Sequence, residues 1–381
     1  MALSNVQSVA LGGFLLAVVF GAIGNKTNFC TMGAVSDWVL LGDKNRMRAW
    51  LLATGVAILG TQFLPLVIPI NLDKAIYLTA NFSWLGHILG GLFFGIGMTL
   101  AGGCGQRTLV RVGGGNLKSV VVLLMMGITA YMTLRGLLAP VRINLIEVTN
   151  FDLKPLKIAD QGIPTLIMAV TGITDAPLVR WAVTAVFGLG FVVFAFSSAE
   201  FRRSLDNMLA GIGIGLIIVA GWFVTAKLGF DEFEPARIES YSFVAPVAES
   251  LNYLMTYTGS TINFGIAAAF GIVLGSSLYA VLSGKFRIET FTTQTDMIGH
   301  IIGGMLMGFG GVVALGCTIG QGVTGFSTLA LGSVITLSCI IFGAALTMKV
   351  QYHMMDESGF LKALHTSLSE MKLLPAPGKT S

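Results

Sequence analysis

Nine apolar runs of membrane-spanning length constrain the fold of this chain more than any other feature. A bilayer core about 30 Å thick needs about 20 consecutive apolar residues in a helix. Only 11% of the residues are charged, against about 25% in an average soluble domain. We therefore predict an all-α polytopic membrane protein, with residues 1–381 as a single transmembrane domain. The runs lie near residues 6–24, 49–70, 84–101, 117–139, 178–198, 207–226, 261–283, 297–315 and 329–348.

Basic residues are distributed unevenly between the loops, and this predicts how the helices are oriented. With the N-terminus outside, 15 of the 23 Lys and Arg residues lie on the inner side. Cytoplasmic loops of membrane proteins carry an excess of these residues. We therefore expect an outside N-terminus and a cytoplasmic tail, residues 349–381. The longest outer loops are then 140–176 and 227–260, and we interpret the acidic run at 231–235 as solvated loop.

One stretch of the sequence occurs twice. A shift of 213 residues places His87 on His300 and Cys104 on Cys317, and nine of the eighteen positions from 87 to 104 are identical. With the orientation above, the two copies cross the membrane in opposite directions, as in transporters built from inverted repeats. We expect two inverted pseudo-repeats, with a first unit at about 6–139, connecting spans at about 177–226 and a second unit at about 261–348.

A third cysteine lies in a short segment, residues 25–38, that follows the first run. This segment is too short and polar to span a bilayer, so we predict a re-entrant helix with Thr27 or Asn28 as its N-cap. Cys30 would then lie in the first helical turn, where free backbone N–H groups favour anions. The two repeated cysteines adjoin glycine-rich breaks, and broken backbone at membrane depth is tolerated where it lines a cavity.

The three cysteines at chain breaks are candidates for substrate binding. A thiol is a soft, weak hydrogen-bond donor and acceptor, which suits a sulfur-containing anion better than a hard phosphate or sulfate. Cysteine is also often a plain buried apolar residue, and Cys339, in the middle of a run, is interpreted in that way. We therefore predict a substrate pathway formed by Cys30, Cys104 and Cys317.

Residues beside these cysteines are candidates for supporting a bound anion. Backbone N–H groups exposed by glycine, hydroxyl groups and side-chain amides can all donate hydrogen bonds to an oxyanion. The predicted supporting residues are Gly103, Gly105, Gln106, Gly316, Thr318 and Gln321.

Three further polar residues have two interpretations each. His87 and His300 are either helix-packing residues or proton-coupling groups, since imidazole titrates near neutral pH. Arg107 is either an anchor that follows the positive-inside rule or a guide for the anion. The sequence contains no Walker motif, dinucleotide fingerprint or metal-ligand cluster. We therefore expect no cofactor, no metal and no nucleic-acid partner.

Several motifs resemble those of the YeeE/YedE family of sulfur-transport membrane proteins, and the resemblance covers nearly the whole chain. The motifs are NFCTMGAVSD at 28–37, GGCG at 102–105, KFRIE at 285–289 and GGVVALGCTIG at 310–320. The resemblance implies a bacterial inner-membrane permease for thiosulfate, with two inverted halves in an hourglass shape. It also implies that Cys30, Cys104 and Cys317 pass the anion along by S–H···S hydrogen bonds.

The resemblance further implies a partner and leaves the substrate open. A small TusA-like sulfur-carrier protein on the cytoplasmic side is the implied partner. The second-half motif and the long outer loops resemble the selenium-associated YedE branch, so a selenium species is an alternative substrate. A permease that is not an enzyme is the first hypothesis. The alternatives are a membrane-embedded sulfurtransferase or thiol oxidoreductase that forms cysteine persulfides, and a membrane scaffold for a carrier protein.

Overall fold

The computed structural model describes residues 4–231, 237–355 and 359–373. Within these residues, nine helical stretches are long and apolar enough to cross a membrane. They coincide with the nine predicted runs to within a few residues at most ends, which confirms an all-α polytopic membrane protein. The stretches are Asn5–Leu41, Asn45–Val67, Trp84–Gly113, Leu117–Arg135, Ala176–Phe196, Leu205–Lys227, Phe264–Leu282, Gln294–Val313 and Leu331–Met355.

The stretches are built from helices of very different length, because several of them are interrupted. In chain order the helices are α1 (Asn5–Thr27), α2 (Thr31–Ser36), α3 (Asn45–Val67), α4 (Trp84–Leu100), α5 (Gly105–Gly113), α6 (Leu117–Arg135), α7 (Ala139–Val141), α8 (Ile163–Thr171), α9 (Ala176–Thr184), α10 (Gly190–Phe196), α11 (Ala199–Arg203), α12 (Leu205–Lys227), α13 (Val244–Met255), α14 (Phe264–Leu282), α15 (Gln294–Val313), α16 (Leu331–Met355) and α17 (Phe360–Glu370). Turns of π-helix lie at Asp37–Leu41, Arg142–Ile146, Ala185–Leu189 and Gly320–Gly325.

Helices α4 and α15, which carry the repeated sequence, cross each other in the centre of the molecule. A side chain at Gly97 would begin 2.7 Å from the carbonyl oxygen of Gly303, and one at Gly303 would begin 2.6 Å from that of Gly97. Gly90 and Gly310 have the same reciprocal contact, at 2.7 and 2.6 Å. Small residues allow this close backbone approach in membranes. Because the later residue of α4 meets the earlier one of α15, the helices run antiparallel, as the inverted orientation requires. The boundaries of the two repeat units stay a prediction.

The long connections and the tail contain structure that the sequence did not predict. The 140–176 connection includes α8, and its strand β2 (Phe151–Asp152) pairs with β1 (Asn81–Phe82) in an antiparallel sheet. The 227–260 connection includes α13. Most of the acidic run at 231–235 lies outside the described residues.

The tail does not begin where α16 was expected to end. Helix α16 continues to Met355, and α17 packs against it. The Glu370 carboxylate of α17 lies 2.5 Å from the Lys349 amine and 3.0 Å from the His353 ring of α16. The small residues Ala363 and Ser367, one turn apart in α17, are fully buried. This spacing gives α17 a narrow buried face, which explains why a mostly polar sequence forms a packed helix.

Candidate functional site

Each of the three predicted pathway cysteines lies two positions after a residue whose backbone is in the left-handed conformation, called here a left-handed residue. Asn28, Gly102 and Leu315 have φ angles of 53°, 67° and 60°, and Cys30, Cys104 and Cys317 come two residues later. A left-handed residue commonly ends a helix, and these three follow α1, α4 and α15. The same backbone break therefore occurs three times, and each time it delivers a cysteine to the start of the next helical turn.

The predicted cap of the short helix after α1 is wrong. Cys30 itself is the N-cap of α2, and its sulfur accepts a hydrogen bond from the Gly33 N–H at 3.4 Å. Asn28 instead ends α1, because asparagine tolerates the left-handed conformation better than most residues do. The sulfur of Cys317 is held in the same way, by the N–H of Gly320 at 3.3 Å. The sulfurs of Cys30 and Cys317 are thus each held by the backbone N–H of the residue three positions later in the chain.

The structure brings the three cysteines into one buried row. The thiol of Cys104 interacts with the sulfur of Cys30 on one side and with the hydroxyl of Thr318, the neighbour of Cys317, on the other. The exposed fractions are 6% for Cys30 and 0% for Cys104 and Cys317. The spatial order is therefore Cys317, Cys104, Cys30, and the row is closed to solvent in this conformation. Cys339 lies elsewhere, packed against Gly91 between α4 and α16.

An extended segment before α13 borders the row, and the sequence did not predict this. The Ser242 hydroxyl and the Phe243 backbone N–H interact with the Cys317 sulfur. The carbonyl of Tyr241 accepts a hydrogen bond from the Thr324 hydroxyl at 2.7 Å. A segment without helical or strand periodicity offers no sequence signal for such contacts.

Two cavities lie at opposite ends of the row. The first, named here the Gly316 cavity, has a volume of about 370 Å³ and is lined by Gly316, Ser242 and Trp222. The second, the Asn28 cavity, has a volume of about 730 Å³ and is lined by Asn28 and Asn207. Helix α12 rises about 22 Å from Asn207 to Trp222, at 1.5 Å per residue. The cavities therefore open toward opposite faces, and the cysteines lie between them.

Three arginines line the Asn28 cavity together with Asp43 and Glu200, so its lining carries a net positive charge. Arg107 donates a hydrogen bond to the Asn28 side-chain oxygen at 2.9 Å, and Arg46 donates one to the Asn28 carbonyl at 3.0 Å. Arg111 donates to the Gly102 carbonyl at 2.8 Å. The charges of Arg107 and Arg46 both act on Cys30. Arg107 therefore lies beside the row, and its role as an anion guide stays a prediction. Arg46 lies beside it and comes from a part of the sequence with no motif.

Polar side chains beside the cysteines are buried without hydrogen-bond partners. Among the described residues, the Thr31 hydroxyl and both amide atoms of Gln106 are in this state, and the Thr318 hydroxyl finds no nitrogen or oxygen partner. Buried polar groups are normally satisfied, so each exception requires an explanation. A ligand with polar atoms, bound along the row, would satisfy them. Thr31 was missed, although a threonine follows both Cys30 and Cys317 in the sequence.

Three of the other predicted supporting residues, Gln321, Gly103 and Gly316, form hydrogen bonds within the protein. The Gln321 amide donates to the Ala314 carbonyl at 2.5 Å, and its oxygen accepts from the Ser333 hydroxyl at 2.6 Å. The N–H groups of Gly103 and Gly316 donate to carbonyls of the preceding helices, at 2.9 and 2.8 Å. Gly105 begins α5 against Met126. These residues shape the two turns, and their role in binding an anion stays a prediction.

The two histidines differ in their distance from the row, since His300 Nε2 would lie 3.9 Å from a side chain added at Gly102, in the Cys104 turn. The His87 ring is buried between α4 and α16, with Nδ1 2.8 Å from the Thr336 hydroxyl. The His300 ring lies 3.1 Å from the Asp296 carboxylate, one turn earlier in α15. Asp296 also binds the Lys118 amine at 2.6 Å. Neither histidine contacts a pathway cysteine in the contacts described. Among the described residues the buried His87 Nε2 has no hydrogen-bond partner, and the choice between helix packing and proton coupling stays a prediction for both residues.

This fold and site define a class of protein: a polytopic membrane protein with a closed row of thiols between two opposed cavities. A family model described as "Sulphur transport" matches residues 26–346, and the chain belongs to this family, the YeeE/YedE family indicated by the motifs. The chain is also similar to two curated proteins named thiosulfate transporter TsuA. The one from Escherichia coli is 26% identical over 352 residues, covering 88% of this chain and 93% of the relative. The one from Spirochaeta thermophila is 27% identical over 338 residues, covering 87% and 96%.

Proposed function

We propose that this protein is a permease that takes up thiosulfate across the bacterial inner membrane. The observation that carries the proposal is the buried row Cys317, Cys104, Cys30, which joins two cavities on opposite faces. The names of the two relatives support the choice of substrate. Thiosulfate enters from the Gly316 cavity, passes the cysteines in that order and leaves through the Asn28 cavity. The N-terminus then lies outside and the tail lies in the cytoplasm.

Thiosulfate has two chemically different ends, and the row offers partners for both. Its terminal sulfur is soft and suits the weak thiol donors of the cysteines. Its three oxygens suit the hydroxyls of Thr31 and Thr318 and the amide of Gln106, which are buried without nitrogen or oxygen partners among the described residues. A dianion inside a bilayer needs such compensation, because desolvating a charge is costly. Each hydrogen bond is individually weak, which allows the anion to move from one cysteine to the next.

The arginines at the far end give the movement a direction. Arg46, Arg107 and Arg111 line the Asn28 cavity, so an anion leaving Cys30 meets a cationic surface. We propose this surface as the site where a TusA-like sulfur-carrier protein receives the anion. In this mechanism the protein is not an enzyme, since no bond in the substrate is broken and no persulfide forms on a cysteine.

Uptake by the purified protein tests this proposal. Reconstituted in liposomes, the wild-type protein should accumulate radiolabelled thiosulfate, and excess unlabelled thiosulfate should compete where excess sulfate does not. Competition by selenium oxyanions in the same assay shows whether the soft end accepts selenium as well. Uptake equal to that of protein-free liposomes would contradict the proposal. A mass gain of one sulfur atom on a cysteine would contradict transfer of the anion without a covalent step.

A further inference from the structure

Two carboxyl groups, those of Glu239 and Glu249, line the Gly316 cavity. Glu239 belongs to the extended segment 237–243, the same segment that contacts the Cys317 sulfur. Tyr77 lies within electrostatic range of both the Glu239 carboxyl and the Cys317 sulfur. An anion in this cavity therefore shares it with the Glu239 carboxyl, and the segment that carries Glu239 continues to Cys317.

Hydrogen bonds hold the backbone of Glu239, whereas its carboxyl has no hydrogen-bond or ion-pair partner among the residues that the structure describes. The Thr225 hydroxyl of α12 donates to the Glu239 carbonyl at 2.7 Å, and the Glu239 N–H donates to the same hydroxyl at 3.4 Å. The next residue, Ser240, donates to the Ile218 carbonyl at 2.8 Å. Within the described residues the Glu239 carboxyl forms no hydrogen bond and no ion pair. Hydrogen bonds with α12 thus fix the backbone at Glu239. The carboxyl can gain or lose a proton without breaking a described hydrogen bond.

The surroundings of Glu239 raise the pKa of its carboxyl to near neutral pH. Burial raises the pKa of Glu239 to about 7; the nearby Glu249 charge also raises it, and the Arg237 charge opposes the increase. Within the described residues, the other charged groups of the cavity lining come from α13 and from the end of α6. The charged and titratable groups that line the cavity with Glu239 are Arg237, Glu249, Arg135 and Tyr77.

We propose that Glu239 is a protonation site that controls access of the anion to Cys317. This inference rests on the proposed uptake function. The neutral carboxyl admits a dianion, whereas the carboxylate repels it across a partly desolvated cavity, where charges interact more strongly than in water. The proton comes from the outer solution and binds one carboxylate oxygen. Uptake is therefore fast at acid external pH and slow at alkaline external pH.

The pH profile of uptake tests this inference in the full-length protein. With internal pH held constant and thiosulfate as the probe, the initial rate should fall as external pH rises through about 7. Above that midpoint, the neutral fraction falls about tenfold per pH unit, and the rate should follow it. Thiosulfate itself stays a dianion over this range. Glu239→Gln replaces the carboxyl with a neutral group of the same shape, so its uptake should not depend on external pH.

Two neighbouring variants distinguish this role from a structural one. Glu249→Gln removes a charge that raises the pKa of Glu239, so the midpoint should move to lower pH. Arg237→Gln removes a charge that lowers this pKa, so the midpoint should move to higher pH. Glu370→Gln, the same exchange in α17, should leave the midpoint in place.

The outcomes separate this inference from the proposed function. A folded Glu239→Gln protein that keeps the wild-type pH profile, or that is inactive even at acid pH, would overturn the role of Glu239 and leave thiosulfate uptake intact. A wild-type protein without uptake at any pH would overturn both.

Discussion

The turns that carry Cys104 and Cys317 share a backbone path and differ in their glutamines. Gly102 and Leu315 occupy equivalent positions in the repeat, and both are left-handed. In the Cys317 turn, Gln321 binds the turn itself, through Ala314 and Ser333. In the Cys104 turn, both amide atoms of Gln106 are buried without a partner. One glutamine closes its turn, and the other has unused hydrogen-bonding capacity beside the row.

This difference shows that repeating a backbone break does not repeat a binding site. The break occurs where a helix ends. In each copy of the repeat it places a cysteine two residues after a residue with left-handed backbone conformation. Whether the turn also binds a ligand depends on side chains that differ between the halves. We infer that Gln321 supports the Cys317 turn, which offers the anion the Thr318 hydroxyl, and that the Cys104 turn, at the centre of the row, offers it the amide of Gln106.

Replacing each glutamine by alanine should give the largest difference between the turns. The Gln321 variant should lose stability, and the Gln106 variant should lose affinity for thiosulfate. Gln321→Ala leaves the Ala314 carbonyl and the Ser333 hydroxyl buried and unpaired, which should cost about 1–3 kcal/mol of stability. Gln106→Ala breaks no hydrogen bond in the protein, so its stability should stay near that of the wild type. Its KM for thiosulfate should rise instead. Thermal unfolding in detergent and uptake kinetics measure the two effects.

The comparison fails if the two variants behave alike. A Gln106→Ala protein that unfolds as early as Gln321→Ala would show that Gln106 supports the fold. A Gln106→Ala protein with wild-type stability and wild-type KM would show that its amide does not contact the anion.

Substituting the left-handed residue of each turn should change the stability of the protein by a smaller amount. The change should be an increase for Leu315→Gly and a decrease for Gly102→Ala. A side chain in the left-handed conformation costs roughly 1–2 kcal/mol relative to glycine. Leu315→Gly should therefore stabilise the protein by up to about 1 kcal/mol, because Leu315 is 38% exposed and loses little burial. Gly102→Ala should destabilise it by about 1 kcal/mol. Thermal unfolding measures both, and a loss of stability in Leu315→Gly would show that the leucine side chain is needed at the cavity.

Local patterns explain what could be predicted from the sequence. The nine spans follow from apolar length, and the antiparallel crossing of α4 and α15 follows from the repeat combined with the loop charges. The three cysteines stand out because each adjoins a break in an apolar run. The cap of α2 was predicted wrongly, since asparagine favours both an N-cap and a left-handed helix end, and only the fold decides between them.

Contacts between distant segments explain what could not be predicted. Ser242 and Phe243 reach Cys317 from a connection without periodicity, and Arg46 reaches Cys30 from the start of another helix. Gln106 and Gln321 each follow a cysteine, by two and by four residues, so the repeat does not align them. Whether each amide finds a partner depends on the positions of residues such as Ala314 and Ser333, which tertiary packing sets.

The central claim is that Cys104 joins the other two cysteines into one path, and uptake by Cys104→Ala tests it most directly. Initial rates of thiosulfate uptake should be measured in liposomes that contain equal amounts of folded wild-type, Cys104→Ala and Cys339→Ala protein. Losing one transition-state contact of about 1.4 kcal/mol lowers a rate about tenfold. We therefore expect Cys104→Ala to be slower by about tenfold or more, and Cys339→Ala to match the wild type. A wild-type rate in folded Cys104→Ala would contradict the account.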